Sequence, residues 1–134
     1  MPAQHAFDCA VVRVVPRVER EEFLNAGVIL FCRVRRFLSA RILLDRTRLA
    51  AFAPALDIDD VQHHLDLIPL VCAGDAAAGA IAGLPLAERF YWLVAPRSTV
   101  VQTSPVHSGL CEDPSAELEH LFETMVLPPA ECSG

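Results

Sequence analysis

The side chains best suited to chemistry are concentrated in one stretch, PRSTVVQTSPVHSGL, at residues 96–110. It contains a cation, hydroxyls, an amide and an imidazole, carried by Arg97, Ser98, Gln102, Ser104 and His107. A hydrolase could use such a serine as nucleophile and the histidine as its base. Neither serine stands in a G-x-S-x-G elbow, and Ser104 and His107 are closer along the chain than the partners of a usual triad. The catalytic residues are therefore unknown, with His107 as the one candidate for an acid or base.

The same side chains also suit ligand binding or contact with a partner protein. A third interpretation is a polar loop whose hydroxyls and imidazole satisfy neighbouring backbone groups. The sequence leaves all three interpretations open.

Arginine is distributed unevenly along the chain. Nine of the eleven arginines lie in residues 1–50, lysine is absent, and residues 1–50 and 51–134 carry net charges of +4 and −10. Strand periodicity puts four arginines on one face with Phe31 and Phe37, namely Arg13, Arg33, Arg35 and Arg41. This face could bind a small anionic ligand or an acidic partner, or acids of the C-terminal part could neutralise it internally. The net charge of −6 argues against nucleic acid as the partner.

Metal and cofactor chemistry have little support in the sequence. The carboxylates of Glu19, Glu21 and Glu22 could hold a divalent ion, but no second acidic cluster at ligand spacing accompanies them. His63 and His64 are adjacent, so on a helix their side chains point about 100° apart and cannot easily share a metal. We expect no metal site and no cofactor.

The cysteines and the apolar runs bear on the compartment. Five cysteines are spread singly along the chain without a C-x-x-C pair, which is typical of free thiols in a reducing compartment. No apolar run is long enough to span a bilayer, and the N-terminus lacks the basic and apolar regions of a signal peptide. We expect a cytoplasmic protein without membrane contact.

Hydrophobic periodicity predicts the secondary structure. Alternating apolar residues predict strands at 8–15, 28–35, 37–44 and 98–103. Helical spacing and capping residues predict helices at 46–53 and from Asp113-Pro114 to Pro128. A longer helix starts at Asp57 or Asp59; Pro69 should kink or end it, and residues 72–74 close the region. Residues 86–94 could form a helix or a strand, and a helix is favoured. We therefore expect a single α+β domain over 1–134, with an ordered core at about 7–127 and a frayed tail at 128–134. Its antiparallel sheet of about four strands should carry two main helices packed on one face.

Two sequence blocks resemble one protein family. They are VVRVVPRVEREEFLNAGVILFC at 11–32 and ERFYWLVAPRSTVVQTSPVHSGLCEDP at 88–114. The family's patterns R-x-V-P, E-F-x-N-x-G-V-x-L-F, P-R-S and S-x-x-H-x-G fall here on Arg13, Asn25, Gly27, Arg97, Ser98, Ser104, His107 and Gly109. Over about residues 7–127 the chain resembles the bacterial domain-of-unknown-function family 3037. The resemblance implies no particular activity. Members are often encoded beside proteins with a HipA-like kinase fold, which implies a protein partner.

The motif residues could converge on one cleft if the strand at 98–103 joins the sheet. The binding residues we expect there are Arg13, Asn25, Arg97, Ser98, Gln102, Ser104 and His107. The preferred function is a non-enzymatic binding or interaction module for a protein partner or a small anionic ligand, with a homo-oligomer as one form of it. The alternative is a small enzyme acting on a phosphorylated or nucleotide-like substrate, with His107 as acid or base and Arg13 and Arg97 holding phosphate.

Overall fold

The structure is a computed structural model that describes residues 3–127. The predicted frayed tail at 128–134 lies outside the described residues. The chain forms, in order, β1 (His5–Val14), β2 (Leu24–Cys32), β3 (Phe37–Ile42), α1 (Arg46–Phe52), α2 (Ile58–Ala73), α3 (Leu86–Val94), β4 (Val101–Thr103), β5 (His107–Cys111) and α4 (Pro114–Met125). Short 3-10 turns at Val18–Arg20, Ala76–Ala78 and Ala80–Gly83 lie in the connections. The predicted α+β class is confirmed.

β1 is the centre of an antiparallel sheet. β2 pairs with one edge of β1 and β3 pairs with the outer edge of β2. On its other edge β1 pairs with two strands in turn, because β4 lies opposite Val12–Val14 and β5 opposite His5–Cys9. The segment 104–106 separates β4 from β5. Every strand of the sheet is therefore positioned directly or indirectly by β1.

The sheet carries helices on both faces, not the two main helices on one face that the sequence predicted. One face packs against α2 and α3 through Val12, Ile29, Phe31, Leu65 and Phe90, among others. The opposite face packs against α4 through a second cluster, which includes Val28, Leu30 and Cys32 of β2 and Leu118 and Leu121 of α4. The reason lies in β2, which is buried on both sides from Ala26 to Cys32. A strand that is apolar on both faces needs a cover on each of them.

β2 also begins and ends earlier than predicted. It runs from Leu24 to Cys32 and not over 28–35, and its pairing with β1 shifts register between Val12 and Arg13. Residues 33–36 form the turn into β3, with Arg36 at a φ of +51°. Periodicity did not reveal the start of this strand, because the regular alternation of the sequence begins only at Val28. The residues just before Leu24 are mostly charged.

The helix starts match the capping residues expected from the sequence. The carboxylates of Asp45, Asp57 and Asp113 each accept a backbone N–H in the first turn of α1, α2 and α4. α2 does not end at Pro69 but continues to Ala73, where Gly74 closes it in the left-handed conformation. Its last turn is held by buried side chains that follow the proline.

Arg89 fixes α3 against the end of α2. Its guanidinium donates hydrogen bonds to the carbonyls of Val71 and Cys72, at 3.0 and 2.9 Å, and to that of Leu84 at 3.0 Å. These carbonyls include orphan acceptors of the last helical turn, where a cation is favourable. The pair α2–α3 is thereby held as one layer over the sheet. Among the described residues, no helix is both long and apolar enough to cross a membrane.

Candidate functional site

The arginines expected on one face are divided between two faces of the sheet. Arg41 lies on the α4 side, where it forms an ion pair with Glu119 at 3.2 Å and lies 4.8 Å from the ring centroid of Phe122. Arg33 lies on the other side and donates to the hydroxyl of Tyr91 at 3.0 Å. The prediction of one arginine face was wrong, because Arg33 and Arg35 belong to a turn and β2 presents its residues in the opposite phase. The internal neutralisation that the sequence left open holds for Arg41.

Three of the predicted binding residues form a row across neighbouring strands. Arg13 on β1 lies opposite Asn25 of β2 and opposite Gln102 of β4. The amide of Asn25 donates to the carbonyl of Met125 at the end of α4 (3.0 Å), and the amide of Gln102 donates to that of Thr99 (2.7 Å). Both amides therefore hold chain segments in place.

Arg13 itself is covered by an aromatic ring. Its guanidinium carbon lies 4.1 Å from the ring centroid of Phe23, a distance typical of a cation–π contact. Its Nε is buried and has no hydrogen-bond partner among residues 3–127. Arg13 thus packs its plane against a neighbouring side chain of its own chain.

Ser104 closes the gap between β4 and β5. Its side chain is only 3% exposed, and its hydroxyl accepts the N–H of Val11 and donates to the carbonyl of Pro105, each at 2.9 Å. Its own N–H donates to the carbonyl of Val11 at 2.8 Å. The hydroxyl thus supplies the hydrogen-bond acceptor that the Val11 N–H of β1 lacks between β4 and β5. Because it is buried and makes two hydrogen bonds, it is poorly placed to act as a nucleophile.

The Ser104→Ala variant should lose roughly 1–3 kcal/mol of the free energy of unfolding, because the buried N–H of Val11 would lose its partner. Urea unfolding monitored by circular dichroism measures this loss. Ser98→Ala is the matched control, since Ser98 is exposed and its change should stay within about 0.5 kcal/mol. Equal stability of the two variants would contradict the structural role of Ser104.

His107 lies directly opposite Cys9, a pair that the sequence analysis missed because the two are far apart in the chain. A cysteine beside a histidine can be a nucleophile if its pKa is lowered. Here burial, with Glu117 and Asp8 as nearby negative charges, raises the pKa of the Cys9 thiol. Burial also raises the pKa of Cys72 to about 12. Neither thiol is activated as a catalytic thiolate.

His107 and Arg13 occupy separate places on the sheet. Their positions along β1 correspond to Cys9 and Arg13, four residues apart, or roughly 13 Å. His107 is exposed, and neither residue lines the cavity next to α2 and α3 or the cavity next to the end of α1.

The two glycines of the sequence motif lie where other atoms come very close. A Cβ on Gly109 would lie 2.7 Å from Cζ of Phe7 on the adjacent strand. A Cβ on Gly27 would lie 2.7 Å from the carbonyl oxygen of Arg41. Both positions therefore require glycine because of close packing, and both serve the sheet.

A cavity of about 610 Å³ lies between α2, α3 and the segment 95–103. Its walls are mainly apolar, with Leu67, Ile68 and Val71 on α2 facing Trp92 and Val100. Of the predicted binding residues, Arg97, Ser98 and Gln102 line it. The sequence analysis did not include the α2 residues, because nothing in their local pattern distinguishes a cavity wall from a core face.

Charged groups stand on opposite sides of this cavity. Asp57, Asp60 and His64 line it on the α2 side, and Arg97 lines it on the other. The guanidinium carbon of Arg97 lies 4.4 Å from the ring centroid of Trp92, and Arg97 donates to the Trp92 carbonyl. His64 Nδ1 is 2.8 Å from the carbonyl oxygen of Asp60 and 3.7 Å from its carboxylate. The arrangement can hold an apolar group with an anion at the Arg97 end.

Metal ligands do not gather in this region. Within residues 3–127, no group of three or more His, Cys, Asp or Glu side chains is arranged to hold a metal ion. The four described cysteines, Cys9, Cys32, Cys72 and Cys111, are free thiols, and all but Cys9 are buried. Cys132 lies outside the described residues.

Comparison with known families decides the affiliation of the chain. The model of the family described as "Protein of unknown function (DUF3037)" matches residues 9–126. The chain belongs to this family. Comparison with curated proteins and comparison with solved structures each give no significant match.

The residues that carry the DUF3037 resemblance therefore have two different surroundings in this chain. Asn25, Gly27, Ser104 and Gly109 make contacts that hold strands, α4 and the β4–β5 gap in place. The Pro96-Arg97-Ser98 stretch instead contributes Arg97 and Ser98 to a cavity wall. Among these positions of the DUF3037 pattern, it is this stretch that is exposed next to a space large enough for a ligand.

Proposed function

We propose that this chain is a binding module and that the cavity between α2, α3 and the segment 95–103 is its ligand site. The observation that carries the proposal is the cavity itself, with about 610 Å³ of space, mainly apolar walls and Arg97 at one side. Binding sites for small molecules usually enclose about 300–1,000 Å³ and place a few polar groups in apolar surroundings. This cavity has those properties.

The charges around the cavity indicate the kind of ligand. A guanidinium group suits a carboxylate or a phosphate, which it binds through paired N–H donors. Asp57 and Asp60 on the opposite wall would repel a second anionic group there. The favoured ligand therefore has an apolar body and an anionic group that lies beside Arg97.

A binding role is preferred to a small enzyme that uses His107. The support comes from the surroundings of the candidate catalytic groups, because the hydroxyl of Ser104 is engaged and His107 is outside the cavity lining. An acid or base must lie within hydrogen-bonding reach of its substrate. A ligand in this cavity would not meet that condition.

We further propose that the protein acts in the cytoplasm, where its thiols stay reduced. Buried free cysteines such as Cys32, Cys72 and Cys111 are compatible with such a compartment.

The single tryptophan of the chain makes the proposal directly testable. Trp92 lines the cavity and is 41% exposed, so a ligand that enters should change its fluorescence. Decanoate and decanol serve as probes, because they share one apolar chain and differ in charge. We expect a saturable fluorescence change with decanoate. The Arg97→Gln variant should bind decanoate about tenfold more weakly, whereas its affinity for decanol should change less than about twofold.

Arg36→Gln is the matched control, since it removes the same charge from the β2–β3 turn. Its decanoate affinity should equal that of the unchanged protein. A linear, non-saturable response to decanoate, or equal weakening of decanoate and decanol by Arg97→Gln, would contradict the proposed site.

A further inference from the structure

A second cavity of about 520 Å³ lies next to the proposed ligand site. It is formed between the β1–β2 connection, with Pro16, Arg17 and Arg20, and the end of α1 with the residues that follow it, including Phe52 and Pro54. Phe52 is an exposed aromatic side chain in this wall. Rigid prolines and an aromatic ring make a wall that can pack against an extended chain.

Two arginines and one glutamate line the second cavity. Arg20 forms an ion pair with Glu22 at 2.6 Å, which leaves the two charges balanced. Arg17 also lines the cavity, is exposed, and forms no ion pair within the part of the chain that the structure describes. Among the residues that line the cavity, the surplus is therefore one positive charge, while Glu19 and Glu21 of the same connection lie outside the lining.

The two cavities are adjacent, because Leu56 of the α1–α2 connection lines both of them. The two neighbouring cavities, here together called the groove, extend from Arg97 past Asp57 and Asp60 to Leu56, and beyond Leu56 to Arg17. The two volumes, about 610 and about 520 Å³, together pass the usual upper size of a small-molecule site, roughly 1,000 Å³. A ligand that occupies both must be long enough to pass over Leu56.

We infer that the groove binds an extended segment of a partner protein. The segment carries apolar side chains in the first cavity, an acidic group beside Arg97, and an acidic side chain beside Arg17 in the second cavity. Asp57 and Asp60 repel acidic residues from the middle of the segment. The groove therefore selects segments that have an apolar centre and acidic residues at both ends. This inference rests on the proposed function, because it uses the same first cavity.

The test is a selection from a library of random 12-residue peptides displayed on phage, with the whole chain as bait. Twelve extended residues span roughly 40 Å. Selected peptides should have an apolar centre flanked by Asp or Glu. A synthetic, fluorescently labelled copy of the tightest-binding peptide should bind the protein, as measured by fluorescence anisotropy. Added decanoate should displace it.

Charge reversal at Arg17 separates the second cavity from the first. Arg17→Glu should weaken the peptide by about tenfold and leave decanoate affinity unchanged within about twofold. Arg36→Glu makes the same charge change at the β2–β3 turn and should weaken the peptide less than about twofold. The peptide with Lys in place of its Asp and Glu residues should not bind.

The outcomes distinguish this inference from the function on which it rests. If decanoate binds but the selection gives no peptide, or if Arg17→Glu leaves peptide affinity unchanged, the extended-segment inference is overturned and the ligand site remains. If neither decanoate nor any peptide binds, the proposed function fails together with it.

Discussion

Phe90→Ala should lower the free energy of unfolding by about 3–5 kcal/mol, the usual cost of removing a fully buried aromatic ring. Phe90 is only 1% exposed, and its ring lies 5.1 Å from that of Phe31 in a stacked arrangement. The loss combines the transfer of the ring to water with the cavity left between α3 and the sheet. Chemical unfolding followed by far-UV circular dichroism measures it.

Tyr91→Ala is the neighbouring control, because Tyr91 is 52% exposed and its removal should change the stability by less than about 1 kcal/mol. Phe90→Leu covers the case in which Phe90→Ala does not fold, and it should lose roughly 1–2 kcal/mol. A Phe90→Ala protein as stable as Tyr91→Ala would contradict the packing of α3 described above. Since α3 carries Trp92, decanoate binding should weaken along with the loss of packing.

Gly27→Ala should destabilise the protein by about 2–3 kcal/mol, because the added methyl group has no space. Its carbon would lie 2.5 Å from Cδ1 of Ile42 and 2.7 Å from the carbonyl oxygen of Arg41. The side chain of Ile42 can move, but the carbonyl belongs to the backbone of β3 and can move only if β2 and β3 separate. The midpoint of urea unfolding reports the effect.

Gly83→Ala gives the matching measurement in open space. A Cβ at Gly83 would meet no atom within 4 Å, so its stability should stay within about 0.5 kcal/mol of the unchanged protein. Similar midpoints for Gly27→Ala and Gly83→Ala would show that β2 and β3 approach each other less closely than described.

Local signals predicted the helices well. The caps at Asp45, Asp57 and Asp113 depend on residues three or fewer positions away, so the sequence alone contains what is needed. The helix at 86–94 was favoured over a strand, and α3 has those bounds. The sequence left open whether Pro69 kinks or ends the helix, and α2 continues past it because the residues that follow, Val71 and Cys72, are buried.

The orientation of β2 could not be predicted in the same way. Alternation shows which residues of a strand share a face. It does not show which of the two faces of one strand lies on the same side of the sheet as a given face of the next strand. In β2 both faces are apolar, so Val28 and Ile29 were equally good choices for either core. The assignment depends on the pairing with β1, which is a tertiary property.

The candidate site was predicted in part and for a similar reason. Arg97 and Ser98 were named from their residue types and their pattern, and both line the first cavity. The opposite wall comes from α2, about 25–40 residues earlier in the chain, and Arg17 of the second cavity lies earlier still. Only the folded chain brings these walls together.

The pairing of one edge of β1 with β4 and β5 has a consequence for folding during synthesis on the ribosome. The contact between Val11 and Ser104 joins residues 93 positions apart, so one edge of β1 stays open while most of the chain is still being made. At synthesis rates of roughly 5–20 residues per second, that wait lasts about 5–20 s. During this time an apolar strand with an unpaired edge is exposed to other nascent chains, and a chaperone that shields it would raise the yield of folded protein.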